Sequence, residues 1–113
     1  MLRRPGTIAR GYLDAALASL GAGYEPEDFE SATLAQMVED CWKFEHQNVS
    51  DIGGEKRLAG SGFWQARNST RRVFFANEAE FGVAAAARLD RAAKEFGGFG
   101  LRVVRGRIRG ARA

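Results

Sequence analysis

The spacing of apolar residues predicts a helix from Thr7 to Leu20. Ile8, Tyr12, Ala16 and Leu20 recur every four positions, and Leu13 and Leu17 widen the stripe. Gly21 is placed to stop this helix, and the stretch from Gly21 to Pro26 has the composition of a loop. A second helix is predicted from near Ser31. It sets Leu34, Val38, Cys41 and Trp42 on one stripe, with Met37 and Phe44 beside it, and leaves Glu39, Asp40, Lys43 and Gln47 in water. Residues 48–54 end it, and a polar, glycine-rich link runs to Gly60.

The period then changes from helical to alternating. Phe63, Gln65 and Arg67 fall on one face of an extended segment, and Trp64 and Ala66 on the other. Asn68 to Arg71 is turn chemistry, and Arg72 to Ala76 is rich in strand formers, so the pattern predicts a β-hairpin. Trp64, in the more apolar company, is expected to point inward, and Phe63 to share a solvated face with Arg67. Asn77 followed by Glu80 is a capping-box pattern opening a third helix, with a stripe through Ala85, Leu89, Ala92 and Phe96 and with Ala86 and Ala93 in support. Gly97 and Gly98 end it, and Leu101 to Val104 reads as a short last strand. The expected fold is α+β, in the order α-α-β-β-α-β. It forms one domain over residues 1–105, followed by a basic arginine-glycine tail over 106–113.

Composition narrows the chemistry. A single Cys excludes an internal disulfide, and one Cys with one His is too few for a structural zinc site. The longest uncharged run, Ala15 to Tyr24, falls far short of the ~20 apolar residues that cross a bilayer. No basic start followed by an apolar run and a small-residue cleavage site is present. The expectation is therefore a soluble, cytoplasmic protein without metal or cofactor.

Within 113 residues the net charge of +3 is unevenly spread. Residues 1–24 carry +2, residues 25–51 carry −7, residues 52–100 carry +3, and the last thirteen carry +5 from five arginines. Such blocks suit a polyanion or an acidic partner; alternatively they solvate different faces or attract each other across the fold.

Catalytic constellations are poorly supported. His46 is the only imidazole, and Cys41, five residues before it on one helix, lies about 140° around the axis, so the two cannot pair locally. The acids Glu25, Glu27, Asp28 and Glu30 precede a helix, where negative charge is favoured, and lack the spacing of a calcium loop. Gly60 and Gly62 precede the expected strand, and the glycines at 97, 98 and 100 follow a helix, so neither group makes a phosphate loop. No enzymatic activity is expected.

Two features suit binding. The expected hairpin groups Phe63, Trp64, Phe74 and Phe75 with Arg67, Arg71 and Arg72, the mixture with which sheets stack bases. The same aromatics would equally serve as core. The terminal Arg102, Arg105, Arg107, Arg109 and Arg112 can displace counterions from a phosphate backbone, or form a solubilising end. The candidate binding residues are Phe63, Arg67, Asn68, Arg71, Arg72, Arg102, Arg105, Arg107 and Arg109.

Three segments in order carry a resemblance: Leu34 to Cys41, Gly62 to Asn68, and Arg88 to Gly97. Phe63-Trp64 with Arg67-Asn68, and Ala92 to Gly97, are its most specific pieces. Together the chain resembles a family of small, mostly uncharacterised proteins encoded by phages and related mobile elements. Ser69 to Phe75 departs from the family's Gly-His-Gly turn and its second Phe-Trp, and the arginine-rich end departs from the family's acidic one. The resemblance implies a phage-type accessory protein; together with the small size, the lack of a catalytic constellation and the charge blocks, it gives the expectation that the chain binds a host protein or ribonucleoprotein complex. Inhibition of a defence system of the anti-CRISPR or anti-restriction kind is its most specific form. Direct nucleic-acid binding through the basic hairpin and tail is the alternative.

Overall fold

The computed structural model describes residues 5–112, apart from the side chain of Phe75; Arg3, Arg4 and Ala113 lie outside the described residues. The described residues form six helices and one antiparallel hairpin: α1 (Thr7–Leu20), α2 (Ser31–Gln47), α3 (Val49–Ile52), α4 (Lys56–Arg67), α5 (Glu78–Phe81), α6 (Val83–Glu95), β1 (Phe99–Val104) and β2 (Arg107–Arg112). The mixed α+β composition holds, but the expected order does not. None of the helices is long and apolar enough to cross a membrane.

The two long amphipathic helices form where the periodicity placed them. α2, however, is rotated relative to the expected stripe. Its buried residues are Thr33, Met37, Val38, Asp40, Cys41 and Phe44, whereas Trp42 is exposed. Asp40, expected in water, has no exposed surface at all.

The largest correction concerns residues 62–67. They form the second half of α4, and residues 74–77 form a 3₁₀ turn, so the expected Phe63–Ala76 hairpin is absent. The reason is tertiary. Ala59, Gly60, Phe63, Ala66 and Arg67 are buried at helical spacing, and glycine is required on both helices where α4 meets α1. A Cβ on Gly60 would strike the Ile8 carbonyl, and one on Gly11 would strike the Arg57 carbonyl, so α1 and α4 pack backbone against backbone. Gly62 leaves room for the Phe74 ring, which would come within 2.6 Å of an added Cβ. Close packing here overrides the weak helix propensity of glycine.

On a helix the two aromatics need not oppose each other, and both turn inward: Phe63 is fully buried and Trp64 is 6% exposed. Phe63 stacks on Phe44 at 4.3 Å and meets Phe96 at 4.9 Å and Tyr12 at 5.1 Å. Trp64 meets Tyr12 edge-on at 5.3 Å. This aromatic cluster, with Ile8, Met37, Leu89 and Phe74, is the centre of the core.

The third expected helix is divided at Gly82, whose φ of +88° ends α5 before α6 begins, and the Asn77 side chain makes no capping bond. Outside the core, Arg88 on α6 grips Asp51 on α3 with two hydrogen bonds of 2.8–2.9 Å, which hold the Asp51 carboxyl below its usual range. The last strand is found as β1. Residues 107–112, expected as a tail, pair with it as β2, from Phe99↔Arg112 to Val104↔Arg107. The intervening Arg105 and Gly106 have φ of +53° and +77°, the backbone of a two-residue hairpin turn.

Phe63→Ala should therefore cost about 3–5 kcal/mol, as for other buried aromatics, and Gly60→Ala about 1–3 kcal/mol or more through overpacking. Thermal and urea melts of both variants check this. A Phe63→Ala protein as stable as the parent would be incompatible with Phe63 at the core's centre.

Candidate functional site

Arg67, a candidate for surface binding, is a buried charge. Its side chain and that of Asp40 have no exposed surface, and Nη1 donates to Asp40 Oδ2 at 2.9 Å. Nη1 also donates to the Tyr12 hydroxyl at 3.0 Å, and Nε to the Gly97 carbonyl at 2.8 Å. The guanidinium carbon lies 5.2–5.6 Å from the ring centres of Phe63, Phe96 and Phe99. Asp40 Oδ1 accepts from Gln36 at 2.9 Å and from Arg112 Nη2 at 2.6 Å. The two arginines thus share one carboxylate, and no buried side-chain polar atom among the described residues lacks a partner.

The Arg67–Asp40–Tyr12 centre of this network is closed to a ligand. Burial pushes the Tyr12 hydroxyl and the Cys41 thiol well above their usual ranges, with the Asp40 carboxylate adding to both shifts. Cys41 is consequently a poor nucleophile. His46 is exposed, its ring tilted 31° to that of Trp42 at 4.1 Å, with Nδ1 2.8 Å from the Trp42 carbonyl oxygen. No group of three or more His, Cys, Asp and Glu side chains among the described residues is arranged to hold a metal.

The nine candidate residues are thereby separated. Phe63 and Arg67 are interior. Asn68 joins elements: its Nδ2 donates to the Trp64 carbonyl at 3.0 Å, and its Oδ1 accepts the Phe99 amide at 2.8 Å. The residues Phe63, Trp64, Arg67 and Asn68, which carry the strongest part of the sequence resemblance, are thus the core and its link to β1. Arg71 and Arg72 are exposed in the loop after α4. Arg102, Arg105, Arg107 and Arg109 are exposed on the terminal hairpin.

That hairpin is anchored on three sides. Ile108 and Phe99 are buried in the core. The Glu30 amide donates to the Ile108 carbonyl at 2.9 Å, and the Gly110 amide to Thr33 Oγ1 at 3.1 Å, which covers the outer edge of β2. The acidic block also meets the basic one here. Arg109 pairs with Glu30 at 2.6 Å, and Arg107 donates to the carbonyls of Glu27 and Phe29 at 3.0–3.1 Å. Attraction across the fold, one of the alternatives for the charge blocks, accounts for these contacts. Arg102 and Arg105 have no such partner among the described residues.

The hairpin and the first turns of α2 enclose an open basin of about 830 Å³, rimmed by Arg102, Arg109 and Arg112 against one acid, Glu30. A second groove of about 900 Å³ along α1 and α4 holds Asp14, Glu55 and Glu80 against Arg57, an acidic balance. Anions are therefore favoured at the hairpin. Asp40 was expected in water and Arg112 in a basic tail, so their pairing was missed by sequence reasoning. The available signal was an acid at helical spacing from Met37 and Phe44.

No protein-family model, curated protein or solved structure matches the chain.

Breaking a buried ion pair strands the remaining charge. Arg67→Met should destabilise the protein by about 3–5 kcal/mol in urea titrations. Arg67→Lys should not restore the loss, because an ammonium cannot reproduce the guanidinium fork. A neutral Arg67→Met variant would contradict the network's role.

Proposed function

We propose that this is a non-enzymatic binding protein that holds the phosphate backbone of a nucleic acid with its terminal arginine hairpin. The observation that carries the proposal is the anchored hairpin itself, which presents Arg102 and Arg105 without acidic partners among the described residues. Fixed guanidinium groups suit phosphate oxygens because each presents several donors in one plane. The ordering cost of a flexible tail has also been met by the fold. Exposed large apolar residues, by contrast, fall on four different elements, as Trp42, Val49, Val83 and Val103. A charged contact is better supported than a broad apolar one. For a phage-type accessory protein in a host cytoplasm, a nucleic acid or ribonucleoprotein of a defence complex would be a chemically suitable target.

Binding of a labelled oligonucleotide, followed by fluorescence anisotropy across a salt series, tests the proposal. Affinity should fall linearly on a log–log plot as salt rises. The variant with Arg102→Ala and Arg105→Ala together should bind more weakly, with a slope shallower by about one for each phosphate that is no longer neutralised. Absence of binding to both single strands and duplexes at low salt would overturn the proposal, as would salt-insensitive binding.

A further inference from the structure

The register of the terminal hairpin sets Arg102 directly opposite Arg109. Side chains alternate between the two faces along each strand, and the register sets residues of one face opposite each other. Phe99, Leu101, Val103 and Ile108 share the inner face, and Gly100, Arg102, Arg109 and Ala111 the outer one. Like charges directly across a pair of strands repel. Glu30 neutralises Arg109, but no described group neutralises Arg102.

The floor next to this pair is bare. Gly100 is opposite Ala111, and both line the basin. Unlike the glycines of α1 and α4, Gly100 answers to no packing need: an added Cβ meets nothing within 4 Å, and its φ is not positive. Glycine weakens a strand, so its presence there costs stability with no return from the core. A side chain at position 100 would instead stand in open space on the face that carries Arg102 and Arg109.

Resting on the phosphate-contact proposal, we infer that the basin is a specific seat for one phosphate group of a nucleotide strand, bridged between Arg102 and Arg109, with Gly100 left bare to admit it. A phosphate placed there turns the repulsive arginine pair into two charge-assisted donors, while Glu30 restrains Arg109 from the side. The basin's size, about 830 Å³, also accommodates the attached nucleoside.

The test compares Gly100→Val, Arg102→Gln and Arg91→Ala, the last an exposed arginine on α6 outside the basin. Melting temperature and oligonucleotide affinity are measured for each, and amide shifts of the parent are followed during titration with a dinucleotide and with inorganic phosphate. Gly100→Val should melt at or above the parent temperature and bind about tenfold more weakly. Arg102→Gln should match that loss, and Arg91→Ala should bind as the parent does. Both titrants should shift the amides of Gly100, Arg102 and Ala111. Parent-like binding by Gly100→Val and Arg102→Gln would overturn the seat and leave the general hairpin contact standing. Equal losses in all three variants would also overturn it, in favour of diffuse attraction. Inorganic phosphate shifting these amides without any oligonucleotide binding would overturn the nucleic-acid proposal and the nucleotide seat with it, leaving a site for a free anion.

Discussion

A guanidinium with no exposed surface joins parts of this chain that are far apart in sequence. Arg67, at the end of α4, reaches Tyr12 on α1, Asp40 on α2 and the carbonyls that follow α6, and Arg112 at the end of β2 closes on the same aspartate. A buried pair of this kind is not by itself a large source of stability, because desolvation offsets much of the attraction. It is directional, however. Hydrophobic burial alone would let α2 and α4 slide past each other, whereas the Arg67–Asp40 geometry admits one arrangement. The aromatic rings around Arg67 then exclude the water that would weaken the pair.

The same network explains why a segment of arginines and glycines is ordered. β2 has little apolar surface of its own, with Ile108 its only large aliphatic residue. It is retained by pairing with β1, by backbone bonds to residues 29–33, and by Arg112 on Asp40. The three arginines of β2 are thereby used in holding it down, Arg107 and Arg109 on residues 27–30 and Arg112 on Asp40. Arg102 on β1 and Arg105 in the turn have no such contact among the described residues and remain available to a partner. The placement of the acids beside β2 leaves these two unopposed.

Part of this was legible in the sequence. α1 and α2 were, because each is long and has large side chains at helical spacing. α4 was not, because its buried face is largely Ala59, Gly60, Gly62 and Ala66, residues whose role is to be small. The remaining Phe63-Trp64-Gln65-Ala66-Arg67 alternates as a strand would. Only the proximity of α1 and Phe74 reveals that the glycines belong to a packed helix. Asp40 was hidden for a related reason: an acid on the border of an apolar stripe belongs in water unless a cation shares its burial, and Arg67 lies 27 residues away. β1 was found from Leu101, Val103 and Val104. β2 carried the period of two in Ile108 and its flanking arginines, but its arginine-glycine composition resembled a solubilising end. The candidate site was half visible, in that the hairpin arginines could be named while the floor beside them could not.

The central claim is that the terminal arginines stand on a folded hairpin pinned through Asp40 to the core, and native-state amide hydrogen exchange tests it most directly. The Phe99 and Gly110 amides, bonded to Asn68 and Thr33, should exchange as slowly as the buried centre of α2, through global unfolding. Exchange of these two amides at rates near those of an unstructured chain, while α2 stays protected, would contradict the account.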